Sequence, residues 1–204
     1  MVKREKELIW EINKLKITIG AQVDKRVHEL KNNPDWYSEM CFCLMTANYT
    51  AEGGMRIQKE AGDFSKMPLE EIRSLLKRCG HRFPNARAGY IHESKKHKQN
   101  LGSLAGMASS GERREWLVQN VKGLGYKEAS HLLRNIGFMD VAIIDRHILN
   151  LLVEYGFIKK PKNLNRIRYL EIEQVLEKLA KKTNLSQGEL DFYLWYMKTG
   201  KILK

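Results

Sequence analysis

Residues 121–147 read Val121-Lys122-Gly123-Leu124-Gly125-Tyr126-Lys127-Glu128-Ala129-Ser130-His131-Leu132-Leu133-Arg134-Asn135-Ile136-Gly137-Phe138-Met139-Asp140-Val141-Ala142-Ile143-Ile144-Asp145-Arg146-His147, and this stretch decides the fold. Two glycines flank one leucine, which suits a tight turn needing positive φ or a close backbone approach. Before the turn, Trp116, Leu117, Val118 and Val121 fall toward one side of a helix predicted over residues 112–121. After it, Ala129, Leu132, Leu133 and Ile136 recur at helical spacing over 127–136, and Gly137 stops that helix as its C′ residue. Helix, Gly-x-Gly hairpin and helix form a module whose free backbone N–H groups suit a phosphate.

Outward from this module the chain reads as helices, and the fold class is all-α with short loops. Leu8, Ile9, Ile12, Leu15 and Ile19 keep helical spacing, continued by Val23, Val27 and Leu30 until Asn32-Asn33-Pro34-Asp35 breaks the pattern. Residues 36–49 are the most apolar run and read as a central buried helix, interrupted or bent at Gly53-Gly54. Pro68 opens a helix closed by Gly80, and His81-Arg82-Phe83-Pro84-Asn85 is a loop before a helix over about 86–100. The run Lys95-Lys96-His97-Lys98 near that helix's end suits the helix dipole or a solvated face, with DNA contact as the alternative. Ser109-Ser110-Gly111-Glu112 and Ser186-Gln187-Gly188-Glu189 fit capping boxes, and Asp145 fits a helix cap. An amphipathic helix is predicted over 167–181, followed by a final aromatic helix with Phe192, Tyr193, Trp195 and Tyr196.

Composition narrows the partner. In 204 residues, 36 Lys and Arg outweigh 24 Asp and Glu, a net charge of +12 that favours a polyanion. The bland counterpart is a salt-bridged, solvated surface. Three cysteines make no disulfide framework, so Cys41, Cys43 and Cys79 read as small core residues in a reducing compartment. The charged start does not suit a signal peptide, and no apolar run approaches membrane-spanning length. The expectation is a cytoplasmic prokaryotic protein that works with the DNA, acts as a monomer and has no membrane partner. No His/Cys cluster has zinc spacing and no Walker loop is present, so neither a metal nor any other cofactor is expected.

The Gly123-Leu124-Gly125 hairpin, Lys127 two residues beyond it, and Asp145 a further 18 residues on (145 − 127) resemble the helix-hairpin-helix DNA glycosylases. That resemblance implies two helical lobes facing each other across a cleft: residues 35–141, and residues 1–34 with 142–204. It implies that Lys127 and Asp145 project into the cleft as catalytic residues. A glycosylase must flip a nucleotide out of the duplex and break the bond from base to C1′. A carboxylate stabilises the sugar cation that develops, the role of Asp145. An amine that attacks C1′ forms an iminium, which drives β-elimination and nicks the strand, the role of Lys127. The alternative for Lys127 is a phosphate contact beside the hairpin, and for Asp145 an ordinary helix cap, which it can be while also being a catalyst.

The short length, the segment Arg168-Tyr169-Leu170-Glu171-Ile172-Glu173 and the ending Trp195-Tyr196-Met197-Lys198-Thr199-Gly200-Lys201-Ile202-Leu203-Lys204 resemble the archaeal-type 8-oxoguanine glycosylase/lyases. The substrate implied is double-stranded DNA containing 8-oxoguanine. In that family aromatic side chains sandwich the base and a last lysine reaches the lesion. The matching positions are Phe83 and Trp195 for the stack and Lys204 for the lysine. At Lys204 an α-carboxylate would accept the N7 hydrogen that distinguishes 8-oxoguanine from guanine. Asn48 matches the residue that enters the space left by the flipped nucleotide. Gly123 and Gly125, with Lys122 and His147, would hold backbone phosphates. Two departures matter: no cysteine follows Cys79, which leaves no ligands for the iron–sulfur cluster of endonuclease-III relatives, and Lys122 stands where many relatives have proline. A glycosylase for another damaged base and a non-catalytic DNA-binding module are the alternatives.

Overall fold

The computed structural model describes residues 2–204, with side chains from Arg4 onward. Among the described residues every regular element is helical. The α-helices are α1 (Val2–Lys31), α2 (Trp36–Thr46), α3 (Ala51–Ala61), α4 (Leu69–Arg78), α5 (Pro84–Ser94), α6 (Ser110–Asn120), α7 (Tyr126–Asn135), α8 (Arg146–Glu154), α9 (Arg166–Lys182) and α10 (Gln187–Thr199). Short 3-10 turns at Lys95–His97 and Leu101–Gly106 replace the end of the longer helix expected through residue 100. The chain divides into two compact units, one of Met1–Asn32 with Gly137–Lys204 and one of Asn33–Ile136.

In the unit built from α2 to α7, α2 is the core element, and Met40, Cys41, Phe42, Cys43, Leu44 and Met45 are wholly buried. Asp35 caps it, accepting the Ser38 N–H at 2.9 Å. The helix does not run on to Tyr49 as its apolar composition predicts. It stops at Thr46, Asn48 turns left-handed at φ +64°, and Thr50 caps α3 by accepting the Gly53 N–H at 3.1 Å. Gly53 and Gly54 are therefore not the break but the first turn of α3, packed hard on α2. A Cβ on Gly54 would lie 2.8 Å from Thr46 Cγ2 and 3.0 Å from the Phe42 ring, and one on Gly53 would enter the Tyr49 ring. Buried Glu39 joins three helices by accepting Asn135 Nδ2 at 2.9 Å and Gln58 Nε2 at 3.3 Å.

In the other unit α1 lays Leu8, Ile12, Ile19, Val23, Val27 and Leu30 along one buried stripe. The α10 start has both halves of a capping box: Ser186 N donates to Glu189 Oε2 at 2.8 Å, and Glu189 N donates to Ser186 Oγ at 3.3 Å. At Ser109 only one half forms as expected, with Glu112 N donating to Ser109 Oγ at 3.2 Å, because the Glu112 carboxylate takes the Ala108 N–H instead. Cys41 and Cys43 are core residues, but Cys79 is half-buried at the end of α4, with Sγ 3.5 Å from Glu60.

Candidate active site

The hairpin between α6 and α7 needs its two glycines for different reasons. Gly123 has φ +96°, and a Cβ there would stand 2.5 Å from Tyr90 Cδ2 and 3.1 Å from Leu44 Cδ2. Gly125 is extended, and a Cβ would meet only Glu128 Oε2 at 3.1 Å. Leu124 between them is buried and anchors the turn, its N–H donating to Val121 O at 3.1 Å. Gly125 has no side chain with which to cap α7, so the Glu128 carboxylate reaches back and accepts the Gly125 N–H at 3.3 Å. Lys127 lies in the first turn of α7, its Nζ 3.4 Å from Glu128 Oε1, with about a quarter of the side chain exposed. Lys122, expected at a phosphate, lies 3.4 Å from Glu93 Oε2 with its side chain largely in solvent.

Asp145 is the N-cap of α8, and its Oδ1 accepts the Ile148 N–H at 2.9 Å. What leads into it is more informative. Residues 141–144 are all buried, yet belong to no helix or strand. With no helical or strand ladder their backbone polar groups need partners elsewhere, and side chains supply three of them. The Tyr169 hydroxyl, buried in α9, donates to Ala142 O at 2.7 Å and accepts the Ile144 N–H at 3.2 Å. Glu173, one turn on, accepts the Ala142 N–H at 3.0 Å. These two side chains fix the segment that delivers Asp145. The four-residue apolar run was the signal in the sequence, since it lacks a backbone partner of its own.

The remaining candidates fall into two groups, one on each unit. On the unit of α8 to α10, the His147 ring stands edge-to-face against the Trp195 ring, with centroids 6.4 Å apart. Trp195 is half-buried rather than core, and Lys204 is half-buried in the coil beyond the left-handed C-cap Gly200. On the unit of α2 to α7, Asn48 is exposed in its left-handed turn. Phe83 is the N-cap residue of α5, 41% exposed, with the Arg82 guanidinium 5.1 Å from the centre of its ring. The basic run is used within the fold: Lys95 Nζ donates to Met67 O, and Lys98 Nζ donates to Ser65 Oγ at 2.7 Å. Among the described residues no cluster of His, Cys, Asp or Glu is arranged to hold a metal, and no helix is long and apolar enough to cross a membrane.

An all-α chain with this hairpin has the helix-hairpin-helix fold. The profile of the family described as 8-oxoguanine DNA glycosylase matches residues 22–185. The 8-oxoguanine DNA glycosylase/AP lyase of Methanocaldococcus jannaschii is 49% identical, over 97% of this chain and 99% of its own. The protein of the same description from Korarchaeum cryptofilum is 47% identical, over 97% and 98%. The crystal structure of the M. jannaschii glycosylase/lyase with a 15mer DNA containing 8-oxoguanine superposes with a TM-score of 0.94 at 48% identity, covering 97% of this chain and all of that one. The chain belongs to the 8-oxoguanine DNA glycosylase family.

Proposed function

We propose that this protein is a bifunctional DNA glycosylase/AP lyase that removes 8-oxoguanine from double-stranded DNA and nicks the abasic strand. The observation that carries the reading is a half-buried lysine in the first helical turn beyond a Gly-x-Gly hairpin, in a chain 49% identical along nearly its whole length to a glycosylase/AP lyase. A DNA-binding module needs no such amine, since hairpin amides and exposed cations suffice for phosphates.

In this reading the lesion nucleotide is flipped out and its base stacks on Phe83 and Trp195, with Lys204 at the edge that distinguishes it from guanine. Asn48 enters the vacated space in the duplex. Gly123, Gly125, Lys122 and His147 hold phosphates. Lys127 attacks C1′ as the free amine while the N-glycosidic bond breaks and the base departs with a proton. Positive charge develops on the sugar, and the Asp145 carboxylate stabilises it. The adduct nitrogen gives up a proton, the C1′–O4′ ring bond breaks with O4′ taking a proton, and the lysine nitrogen and C1′ are left joined as an iminium. Loss of a C2′ proton expels the 3′ phosphate, which nicks the strand and leaves the sugar on the enzyme until water releases it. The work is done with the chromosome in a prokaryotic cytoplasm, by a monomer without a cofactor.

The test is single-turnover base release and borohydride trapping on a panel of duplexes, each with one lesion. Release of 8-oxoguanine well ahead of the other lesions, with a trapped covalent complex, is expected. A different preferred lesion corrects the substrate, and binding without release or trapping overturns the enzyme reading.

A further inference from the structure

His81 is buried and makes two hydrogen bonds that reach in opposite directions. Its Nε2 lies 2.8 Å from Met45 O, a pure acceptor, so Nε2 carries the proton. Its Nδ1 accepts the Phe83 N–H at 3.0 Å, so Nδ1 carries none. The two partners together fix one neutral tautomer. Met45 lies three residues before Asn48, in the last turn of α2; Phe83 opens α5. One imidazole therefore ties the turn that presents Asn48 to the loop that presents Phe83.

The surroundings clamp the ring. Tyr49, next to Asn48, stacks on it at 4.3 Å between centroids, and the Tyr49 hydroxyl donates to Cys79 O at 2.8 Å. Arg87 from α5 donates to Ala47 O at 3.2 Å, a second link between the same two segments. The charged and titratable groups beside the ring are the Arg87 guanidinium and the Tyr49 phenol. Burial first, then Arg87, holds the imidazole below its ordinary pKa, which keeps the neutral form.

We infer that His81 is a positioning residue for base excision, which sets Phe83 and Asn48 in register through its two ring nitrogens. The inference rests on the proposed roles of Phe83 and Asn48. It separates the two reactions of the enzyme, because a preformed abasic site has no base to stack on Phe83, whereas 8-oxoguanine excision needs that stack. An ordinary loss of folding would lower both alike.

Two substitutions each keep one half of the link. In His81→Asn the amide oxygen replaces Nδ1 and still accepts the Phe83 N–H. In His81→Gln the amide nitrogen replaces Nε2 and still donates to Met45 O. Single-turnover 8-oxoguanine release should fall about tenfold or more in His81→Gln and less in His81→Asn, a displacement effect on a reacting base. In His81→Gln, which keeps the bond to Met45 on the Asn48 side, cleavage of a preformed abasic site should stay within about threefold of wild type, since no stack is involved. Parallel loss of both activities, or no loss of release, overturns the inference. If neither variant folds, the wild type decides: nitrogen-15 spectra should show His81 as the Nε2–H tautomer, and release relative to abasic cleavage should drop as that ring titrates. An Nδ1–H tautomer, or a ratio that ignores the titration, overturns it equally. Phe83→Ala is the control for the underlying reading. If it keeps wild-type release, the stacking role of Phe83 falls; wild-type protein inactive on 8-oxoguanine removes the proposed function itself.

Discussion

Glu128 holds two groups at once: its Oε2 accepts the Gly125 N–H at 3.3 Å, and its Oε1 lies 3.4 Å from Lys127 Nζ. The carboxylate that finishes the hairpin also orients the neighbouring lysine along the first turn of α7. Replacing Lys127 leaves the Glu128 to Gly125 bond intact. Lys127→Gln should therefore fold and bind lesion DNA within a few-fold of wild type, yet give no borohydride-trapped complex, because an amide cannot form the iminium. Gel analysis after reduction reads the result directly, and full trapping by this variant removes Lys127 as the nucleophile.

Asp145 invites a cleaner separation of structure from chemistry. Asparagine caps helices as well as aspartate does, so Asp145→Asn keeps the bond to Ile148 N and should melt within a few degrees of wild type. It removes the negative charge alone. Base release should fall by about a hundredfold to a thousandfold, the scale of losing one group that stabilises transition-state charge. Near-normal single-turnover release would leave Asp145 as a cap and nothing more.

What the sequence discloses follows from how local each feature is. The hairpin helices, the Ser186 capping box and the all-α class depend on residues within a few positions of one another, and their periodicity and caps are readable in order. The break after Thr46 was hidden because Asn48 adopts a left-handed turn inside an apolar run, which composition reads as more helix. The adjoining glycines misdirect, since their purpose is close packing on Phe42, Thr46 and Tyr49. The partners of residues 141–144 are Tyr169 and Glu173, a turn apart on α9 and about 30 positions away, beyond any local pattern. His81 was legible only as a loop residue, because its meaning depends on Met45, 36 positions earlier.

The net charge of +12 predicts a steep salt dependence on undamaged duplex. A footprint of about four phosphates gives a log–log slope of about −3.6, roughly a 150-fold loss of affinity between about 50 and about 200 mM monovalent salt. Fluorescence anisotropy with an unmodified duplex measures it. A flat response would mean that the basic surface does not meet the phosphates.

His81 also makes a pH prediction whose sign is fixed. Its folded pKa lies below the ordinary 6.5, so between the two values the unfolded chain binds the extra proton. The contribution is complete above about 6.5 and is lost as pH falls through the folded value. Wild-type stability should decline on acidification more steeply than that of His81→Asn, and the difference between the two denaturation series isolates this ring from the other histidines. Identical slopes would mean that His81 titrates alike folded and unfolded.

The two hairpin glycines should differ when each becomes alanine. At Gly123 the methyl group meets the root of the Tyr90 ring and the end of Leu44, and the left-handed φ of +96° adds backbone strain. Gly123→Ala should cost about 1–3 kcal/mol and weaken duplex binding, because the turn that displays the amides is displaced. At Gly125 the φ of −92° suits alanine, and the methyl group meets only a carboxylate oxygen at the end of a flexible side chain. Gly125→Ala should cost less than about 1 kcal/mol, and what it loses should come from the Glu128 bond. Urea denaturation of both variants separates the cases. If Gly125→Ala is the more damaging in stability, the hairpin is held mainly by the Glu128 cap; if it is the more damaging only in DNA affinity, its amide is the one that meets phosphate.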